Sequence, residues 1–290
     1  MRATTLDLFL MIKTLFMAST ALLMTGVAAP ALAQSAPDWS GPYVGIYGGW
    51  AENDTNDDER LVFDRDFDGQ FDDTVVLNGT TNDAFSPGYC AGRASTQIAA
   101  DGCSDRSGGV QAGLVAGYDF QFGNFVVGAV ADVSALNSQR SVTGFSTTPA
   151  NYVFTQELQE MAAVRARVGY AAGPALIYAT GGAAYANVEN RFDTTNGANS
   201  FTEQSNEDNM DGWQAGAGLE WRLAPNLSVT GEYLYTSLDG DGQVVRAGNS
   251  GTTPATNPFI LAPNTTGTDI GTSFDSYDTH AVRIGMNVRF

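Results

Sequence analysis

Positively charged residues are scarce in this chain of 290 residues, and lysine is almost absent. Lysine and arginine together number 14 against 32 acidic residues, which gives a formal net charge of −18 at pH 7. Proteins hold nucleic-acid phosphates with clustered cations. The charge balance therefore excludes a nucleic-acid-binding protein and favours an acidic, solvated surface.

Histidine and cysteine are also rare, since His280 is the only histidine and Cys90 and Cys103 are the only cysteines. The cysteines lie close together in polar sequence, which in an exported protein predicts a disulfide and gives no comparable support for a metal pair. A disulfide that closes so short a loop stabilises it by about 3 kcal/mol. His280 has no neighbouring serine, so we interpret it as an interfacial residue and predict that the protein is not an enzyme.

Long apolar runs are absent except at the amino end. A basic start at Met11-Ile-Lys13, an uncharged apolar run over 14–27 and the small residues Ala31-Leu-Ala33 predict a secretory signal peptide over residues 1–33. The run is shorter than the roughly 20 residues that cross a bilayer, which argues against a membrane anchor. Met11 is the more natural start, because the residues before it add nothing that such a signal needs.

Residues 34–290 form the predicted mature chain, and none of its segments approaches a transmembrane helix. Without Arg2, Lys13 and Asp7 this chain holds 12 basic residues, all arginine, against 31 acidic ones. Only helices and closed barrels satisfy every backbone polar group in hydrocarbon. A mature chain that spans a membrane would therefore have to be a β-barrel.

The feature that the sequence does have is alternation of two residue sets, which is clearest at 280–290. His280, Val282, Ile284, Met286, Val288 and Phe290 make one set, and Ala281, Arg283, Gly285, Asn287 and Arg289 make the other. A period of two places these sets on opposite faces of a β-strand. A soluble sandwich would bury the apolar face, whereas a transmembrane barrel would turn it toward lipid and the arginines toward its lumen.

Eight such segments predict eight strands, at Tyr43–Trp50, Val110–Phe122, Phe125–Leu136, Leu158–Tyr170, Leu176–Val188, Gly212–Leu223, Leu227–Leu238 and Thr279–Phe290. Their connections alternate between short turns and long polar segments at 53–108, 137–156, 189–211 and 239–278. Antiparallel strands with both termini on one side produce this rhythm, and an even strand count closes the sheet. The sequence therefore predicts an all-β fold, an eight-stranded antiparallel transmembrane up-and-down β-barrel with long extracellular loops. The first loop, 53–108, is large, acidic and bears the disulfide.

Aromatic residues on the apolar face sit near the strand ends, as the interfacial girdles of a membrane barrel require. They are Trp50, Tyr118, Phe120, Tyr170, Trp213, Trp221 and Tyr233. The opposite face predicts a charged lumen, made up of Asp119, Asp132, Arg165, Arg167, Glu220, Arg222, Glu232, Arg283 and Arg289. Side chains fill the interior of a small barrel, so we interpret these residues as a paired polar plug. Glycines on the same face are expected to make room for the arginines, and the alternative is a charged pore that selects small ions.

The acidic segment Asp64-Arg-Asp66-Phe-Asp68-Gly69 resembles the start of a calcium loop, with oxygen ligands at alternate positions and glycine at the sharp turn. The twelfth position is Val75 instead of the glutamate that closes such loops, so Asp72 or Asp73 would have to substitute. The alternative is a solvated acidic outer loop. We expect no cofactor, with a weak calcium site at Asp64, Asp66, Asp68 and Asp72 as the competing hypothesis.

Several motifs of the mature chain are similar to those of one protein family. They are Trp39-Ser-Gly-Pro-Tyr-Val-Gly, Phe63-Asp-Arg-Asp-Phe-Asp-Gly-Gln-Phe-Asp-Asp-Thr-Val, Phe85-Ser-Pro-Gly, Tyr178-Ala-Thr-Gly-Gly-Ala-Ala-Tyr-Ala, Glu232-Tyr-Leu-Tyr, Thr253-Pro-Ala-Thr-Asn-Pro-Phe and the terminal Arg-Phe. On these residues the chain resembles the small outer-membrane barrels of alphaproteobacteria, grouped as porin-family or OmpA-like β-barrel domain proteins. The resemblance implies a place in the outer membrane of a Gram-negative bacterium and contact with its lipid. It also implies that Phe290 serves as the signal read by the barrel assembly machinery.

The function that follows is non-enzymatic and lies in envelope structure or in surface interaction through the outer loops. One alternative is a narrow porin-like channel for small solutes or ions. A second is an enzyme acting on lipid, which would depend on His280, and a third is binding of a ligand such as haem by the loops, as in some members of the family. We expect the protein to be a monomer.

Overall fold

The computed structural model describes residues 38–54, 59–104, 108–206, 208–240, 242–273 and 276–290, so the predicted signal peptide lies outside the described residues. The strands, in chain order, are β1 (Gly41–Asn53), β2 (Leu61–Asp64), β3 (Gly88–Ala91), β4 (Arg93–Ala94), β5 (Cys103–Ser104), β6 (Gly109–Phe122), β7 (Phe125–Ser146), β8 (Ala150–Ala172), β9 (Ala175–Thr194), β10 (Asn199–Ser205), β11 (Asn209–Ala224), β12 (Leu227–Asp239), β13 (Val244–Asn249), β14 (Gly267–Thr272) and β15 (Ser276–Arg289). Two short 3₁₀ helices lie at Ala99–Asp101 and Pro258–Ile260. No helix in these ranges has the length and hydropathy needed to cross a membrane.

Eight long strands form a closed antiparallel barrel, which confirms the predicted fold. Around the barrel the order is β1, β6, β7, β8, β9, β11, β12 and β15, and β15 pairs with β1. The last strand runs beside the first from Tyr43↔Arg289 to Asn53↔Thr279. Closure leaves no free strand edge in the wall, so its backbone polar groups can pair with neighbouring strands.

The two ends of the barrel differ. Tight turns at 123–124, 173–174 and 225–226 lie at one end, together with the start of β1 and the end of β15, and we call this the turn end. The long connections all lie at the other end, so the predicted rhythm of short and long connections is confirmed.

Side chains alternate between the outer surface and the lumen along each barrel strand. On β1, Val44 and Ile46 are 49% and 61% exposed, whereas Tyr43 is 2% exposed. β9, whose small residues leave its faces ambiguous in the sequence, turns Ile177 outward and Tyr178 inward. The aromatics predicted for the girdles are all between 46% and 54% exposed, namely Trp50, Tyr118, Phe120, Tyr170, Trp213, Trp221 and Tyr233. The barrel thus presents an apolar outer belt with aromatic rims, as lipid contact requires.

The long connections are not the polar loops that the sequence predicts. β7 and β8 continue past the barrel to a turn at 147–149, so most of 137–156 is an antiparallel ribbon. β9 likewise continues to Thr194, and further strands interrupt 53–108, 189–211 and 239–278. These strands cannot be recognised in the sequence, because their short apolar runs are mixed with glycine, threonine and asparagine, which also favour turns.

Four of the added strands form a second sheet in the order β10, β13, β14, β2. A hydrophobic core joins this sheet to the extended ends of β7 and β8, and we call the whole unit the cap. The buried members of that core are Leu61, Phe63, Val75, Ala84, Phe85, Val142, Ala150, Tyr152, Phe154, Val245, Ala247, Phe259 and Ile270. Phe192 on β9 contacts both Phe154 and Phe201, which extends the core toward β10. The cap is therefore a folded unit stabilised by its own apolar burial.

Candidate functional site

Eight charged side chains meet in the barrel lumen because each occupies an inward position of its strand. They are Asp119 on β6, Asp132 on β7, Arg165 and Arg167 on β8, Glu220 on β11, Glu232 on β12, and Arg283 and Arg289 on β15. Their side chains are at most 5% exposed, except that of Glu232 at 14%. The arrangement repeats, because a hairpin with two acids is followed by a strand with two arginines in β6–β7–β8 and again in β11–β12–β15.

The layer nearer the cap contains two acids and two arginines. Asp132 accepts hydrogen bonds from Arg165 at 2.5 Å and from Arg283 at 3.3 Å. Glu232 lies 3.9 Å from the nearest nitrogen of Arg165 and 3.5 Å from that of Arg283. Gln214 accepts hydrogen bonds from both arginines. The same two arginines therefore bridge both carboxylates, which compensates the burial of four charges.

The layer nearer the turn end repeats this chemistry. Asp119 lies 2.8 Å from a nitrogen of Arg289 and 3.5 Å from one of Arg167. Glu220 lies 2.5 Å from Arg167 and 3.8 Å from Arg289. The hydroxyl of Ser228 donates to the remaining oxygen of Glu220 at 2.5 Å. Charge is balanced within each layer, so neither layer carries a net charge.

Three inward tyrosines lie between the arginines and the barrel wall. Measured from guanidinium carbon to ring centroid, Arg289 lies over Tyr43 at 4.7 Å, Arg283 over Tyr47 at 4.5 Å and Arg167 over Tyr178 at 3.9 Å. These rings cover Gly117, Gly113 and Gly218 in the same order, and a methyl group at any of the three would overlap the ring. The sequence predicts that inward glycines make room for arginines, and this is wrong at these positions. They make room for tyrosine rings, on which the arginines stack.

Arg222 does not join the charged network, although it shares the inward parity of β11. It lies at the turn end, where its guanidinium stacks on Trp39 at 4.4 Å and donates to the backbone oxygens of Asp38 and Pro225. The prediction that Arg222 belongs to the charged network is therefore wrong. Its nearest acceptors are backbone carbonyls of the segment ahead of β1 and of the tight turn after β11. Trp39 is completely buried, and its carbonyl accepts a hydrogen bond from Arg289.

Trp39 fills the turn end of the lumen, a role that its sequence context does not predict. Its backbone N–H donates to the side chain of Gln121 at 2.7 Å, which fixes the segment ahead of β1 across the mouth. The signal that could have found it is its position within the Trp39-Ser-Gly-Pro-Tyr43 entry to the first strand. A tryptophan at a strand end is also typical of an outward interfacial anchor, so the sequence alone does not distinguish the two.

The space that remains among the lumen side chains is small. A cavity of about 40 Å³ is lined by Tyr43, Tyr47, Tyr178, Asp132, Arg165, Arg167, Glu232 and Arg283, with several wall residues. This volume has room for only a few water molecules. Side chains therefore take up most of the lumen at the level of the two charged layers.

The acidic segment after β2 gathers a different set of carboxylates from the one that the sequence predicts. Ligand atoms of Asp64, Asp66 and Asp73 lie within 4.8 Å of one another, and neither Asp68 nor Asp72 belongs to this group. The oxygens of Asp64 accept the backbone N–H groups of Phe67 at 2.6 Å and Gly69 at 2.9 Å, so this carboxylate also holds the turn. Calcium binding stays a prediction, with Asp73 as the third ligand.

A neighbouring arginine partly balances that acidic group. Arg246 on β13 makes two hydrogen bonds to Asp269, at 2.6 Å and 2.7 Å. The hydrogen bonding to Asp269, with the charges of Asp269 and Asp64, raises the pKa of Arg246. A cation at the acidic group would therefore compete with a fixed positive charge nearby.

The structure pairs Cys90 with Cys103, as the sequence predicts. Cys90 lies on β3, opposite Thr143 of β7, and Cys103 lies on β5. Between them the backbone oxygen of Thr96 accepts a hydrogen bond from Asn151 on β8 at 3.0 Å. The disulfide-closed segment is thus attached to both strands of the β7–β8 ribbon.

His280 lies on the outer surface of β15 among aromatic side chains. Its Nδ1 atom is 2.6 Å from the hydroxyl of Tyr233, and its ring centroid is 5.1 Å from that of Tyr235. This is the position of an interfacial residue. At the opposite end of the same strand Phe290 is 75% exposed, and its N–H donates to the oxygen of Pro42 on β1.

The family model described as outer membrane protein beta-barrel domain matches residues 19–290. The chain belongs to this family. It is 31% identical over 186 residues to the 31 kDa outer-membrane immunogenic protein of Brucella melitensis, an alignment that covers 63% of this chain and 68% of that protein. It is 26% identical over 204 residues to the 22 kDa outer membrane protein of Rhizobium leguminosarum bv. viciae. That alignment covers 70% of this chain and 77% of the Rhizobium protein.

Among solved structures, the outer membrane protein OprG of Pseudomonas aeruginosa is similar with a TM-score of 0.45 at 14% identity, over 88% of this chain and 98% of OprG. The family match and the two alphaproteobacterial relatives confirm the resemblance read from the sequence. They also confirm its place in the outer membrane of a Gram-negative bacterium. In such barrels the short turns lie on the periplasmic side, so the cap faces the outside of the cell.

Proposed function

We propose that this protein is a non-conducting outer-membrane barrel that acts in envelope structure and presents the cap for surface interaction. The observation that carries the proposal is the filling of the lumen by two charge-balanced layers. An ion entering either layer would have to displace a guanidinium from a carboxylate in a site that holds little water. Such a step has a high cost because buried charges lose their compensation.

The proposal for the outer side depends on the cap. Its two sheets share an apolar core, and the disulfide and the Asn151–Thr96 hydrogen bond hold the first loop on the β7–β8 ribbon. A surface held in one conformation loses little entropy when it binds a partner. The Brucella relative is named an immunogenic protein. For this chain we propose that the cap is the part accessible to external partners, including antibodies.

The second candidate function is a narrow channel for small solutes or ions. The observation that favours it is the charged lining, because rings of charged side chains are also how channels select ions. Planar lipid bilayers distinguish the two functions. We expect the purified protein to give no conductance steps above background in 1 M KCl. Reproducible steps would show that the protein is a channel and not a closed barrel.

Three double variants make the bilayer measurement sharper. Arg165→Ala and Arg283→Ala together remove both cations of the layer nearer the cap, and a second double variant removes Arg167 and Arg289. Arg93→Ala with Arg191→Ala, at two arginines with half-exposed side chains outside the lumen, is the control. Under the proposal neither the parent nor the control conducts, and any conductance is confined to the lumen variants.

The remaining parts of the proposal concern partners and chemistry. We propose that the protein is a monomer surrounded by outer-membrane lipid and that it has no enzymatic activity. We also propose that Phe290, at the end of the last strand, directs its assembly by the barrel assembly machinery.

Deletion of Phe290 should reduce the amount of folded protein in the outer membrane severalfold. The His280→Ala variant should leave the lipid composition of the membrane unchanged, and a changed composition would favour a lipid enzyme.

A further inference from the structure

The chain contains two Asn-Gly pairs, Asn78-Gly79 and Asn196-Gly197, and both lie in connections of the cap. In such a pair the backbone nitrogen of glycine can attack the side-chain carbonyl carbon of asparagine, because glycine has no Cβ to obstruct the approach. A Cβ on either glycine would meet no atom within 4 Å, so the surroundings of the two nitrogens are equally open. A difference in reactivity between the pairs therefore has to come from how each asparagine is held.

Asn78 and Gly79 occupy the two central positions of an exposed β-turn. The N–H of Thr80 donates to the oxygen of Leu77 at 3.1 Å, and Gly79 has a φ of 72°, which glycine adopts without strain. Among the described residues, none makes a hydrogen bond with the side chain of Asn78 or with the N–H of Gly79. The side chain of Asn78 can therefore rotate onto the nitrogen that follows it.

The side chain of Asn196, in contrast, is held by three hydrogen bonds. Its Nδ2 atom donates to the hydroxyl of Tyr152 at 2.8 Å and to the Oδ1 atom of Asn199 at 3.0 Å. Its Oδ1 atom accepts the N–H of Ala198 at 2.8 Å. Tyr152 and Asn199 are buried, so these partners do not follow the motion of an exposed loop. Rotation of Asn196 onto the nitrogen of Gly197 would have to break these bonds.

We propose that Asn78 is a site of spontaneous deamidation in the folded protein, and that the fold protects Asn196 from the same reaction. The nitrogen of Gly79 forms a bond to Cγ of Asn78 while the bond from Cγ to Nδ2 breaks. The amide leaves as ammonia and takes the proton of the Gly79 N–H. One water molecule then opens the resulting five-membered imide at either of its two carbonyls. The products are aspartate and isoaspartate, and no oxidant or reductant takes part.

The structure confines the modification to the surface of the cap. The N–H of Leu77 donates to the oxygen of Asn82 at 2.9 Å and that of Ala84 to the oxygen of Val75 at 2.7 Å, which closes the base of the connection. Val75 and Ala84 belong to the cap core and stay buried. The exposed turn gains one negative charge and, in the isoaspartate form, one methylene group in its main chain. If the cap is the recognition surface proposed above, external partners meet two chemical forms of this turn.

Mass spectrometry of the intact folded protein, kept in detergent in ¹⁸O-labelled water at about pH 8.5, tests the proposal. Aspartate or isoaspartate that forms during the incubation takes up the heavy oxygen, which distinguishes it from residues converted earlier. Fragment spectra of the digested chain then give separate rates for positions 78 and 196. The same chain unfolded in urea is the comparison, because it removes the structure and keeps both Asn-Gly pairs. Asn78→Gln is the control variant, since its longer side chain cannot form the five-membered ring.

We expect conversion at Asn78 to be at least tenfold faster than at Asn196 in the folded protein, and the two rates to become similar in urea. Asn78→Gln should show no labelled product at that position. Equal rates in the folded protein overturn the proposal, as does an Asn78 that stays intact while the unfolded chain reacts. A difference that persists unchanged in urea also overturns it, because the local sequence and not the fold would then set the rates. The result does not depend on whether the lumen conducts.

Discussion

Arg167 lies over the ring of Tyr178, with its guanidinium carbon 3.9 Å from the ring centroid, while its Nη2 atom lies 2.5 Å from Glu220. One side chain of β8 therefore contacts a ring of β9 and a carboxylate of β11, and its 3.5 Å separation from Asp119 adds β6. The lumen side chains join strands that are not neighbours in the barrel wall. Such a network makes the barrel sensitive to the loss of any one member.

Removing both members of a buried pair should destabilise the barrel by less than the sum of the two separate losses. Arg167→Leu leaves Glu220 and Asp119 with half of their arginine partners, so we expect the free energy of unfolding to fall by about 3–5 kcal/mol. The double variant with Glu220→Leu should lose less than the sum of the two single changes. Urea titration in phospholipid vesicles measures all four proteins. Strictly additive losses would contradict the pairing.

The tyrosine–glycine contacts give a second test. Gly218→Ala places a methyl group in the ring of Tyr178 and 2.8 Å from the backbone oxygen of Gly231, so we expect a loss of about 1–3 kcal/mol from overpacking. Gly231→Ala on β12 is the matched control, because a Cβ there meets no atom within 4 Å. Its unfolding midpoint should shift much less. Equal shifts in the two variants would mean that the ring does not occupy the space over Gly218.

The disulfide should matter to the cap and little to the barrel. Cys90→Ser frees a short loop, and we expect local destabilisation of up to about 3 kcal/mol in the first outer connection. Limited proteolysis followed by mass spectrometry should then show faster cleavage at 91–102, with the barrel fragment intact. Cleavage that also enters the barrel strands would show that the cap and the wall unfold together.

The group formed by Asp64, Asp66 and Asp73 predicts which substitutions should abolish a stabilisation by calcium. If the site binds calcium, the melting temperature of the parent rises with added calcium, and Asp66→Asn and Asp73→Asn each remove that rise. Asp72→Asn is the matched control and should keep it, because Asp72 lies outside the group. If calcium does not change the melting temperature of the parent protein, the calcium hypothesis is wrong. Asp64 would then serve only to hold the turn.

The barrel wall could be predicted from the sequence because two independent patterns agree. The alternation of Val282, Ile284 and Met286 with Arg283 and Gly285 sets the faces of a strand. The rhythm of short and long connections sets how the strands are joined. Inward parity assigns nine charged residues to the lumen side of their strands, because parity depends only on the strand and not on its neighbours.

The contacts within the lumen and the cap could not be predicted in the same way. Arg222 shares the parity of Glu220, but its partners depend on where the turn after β11 places Pro225 and on where the segment ahead of β1 places Trp39. The pairing of Tyr178 with Gly218 depends on the register between β9 and β11, which alternation does not fix. In the cap, Phe85 and Phe259 are far apart in sequence and meet only through the packing of two sheets.

Proton exchange at the lumen arginines shows directly whether arginine–carboxylate pairs close the lumen. In protein labelled with ¹⁵N-arginine, guanidinium groups that are paired and shielded from water exchange slowly, whereas solvated groups exchange fast. We expect slowly exchanging side-chain signals from Arg165, Arg167, Arg283 and Arg289, assigned by single substitution, and fast exchange at Arg93 and Arg191. Fast, averaged signals from all of these arginines would contradict a lumen closed by arginine–carboxylate pairs.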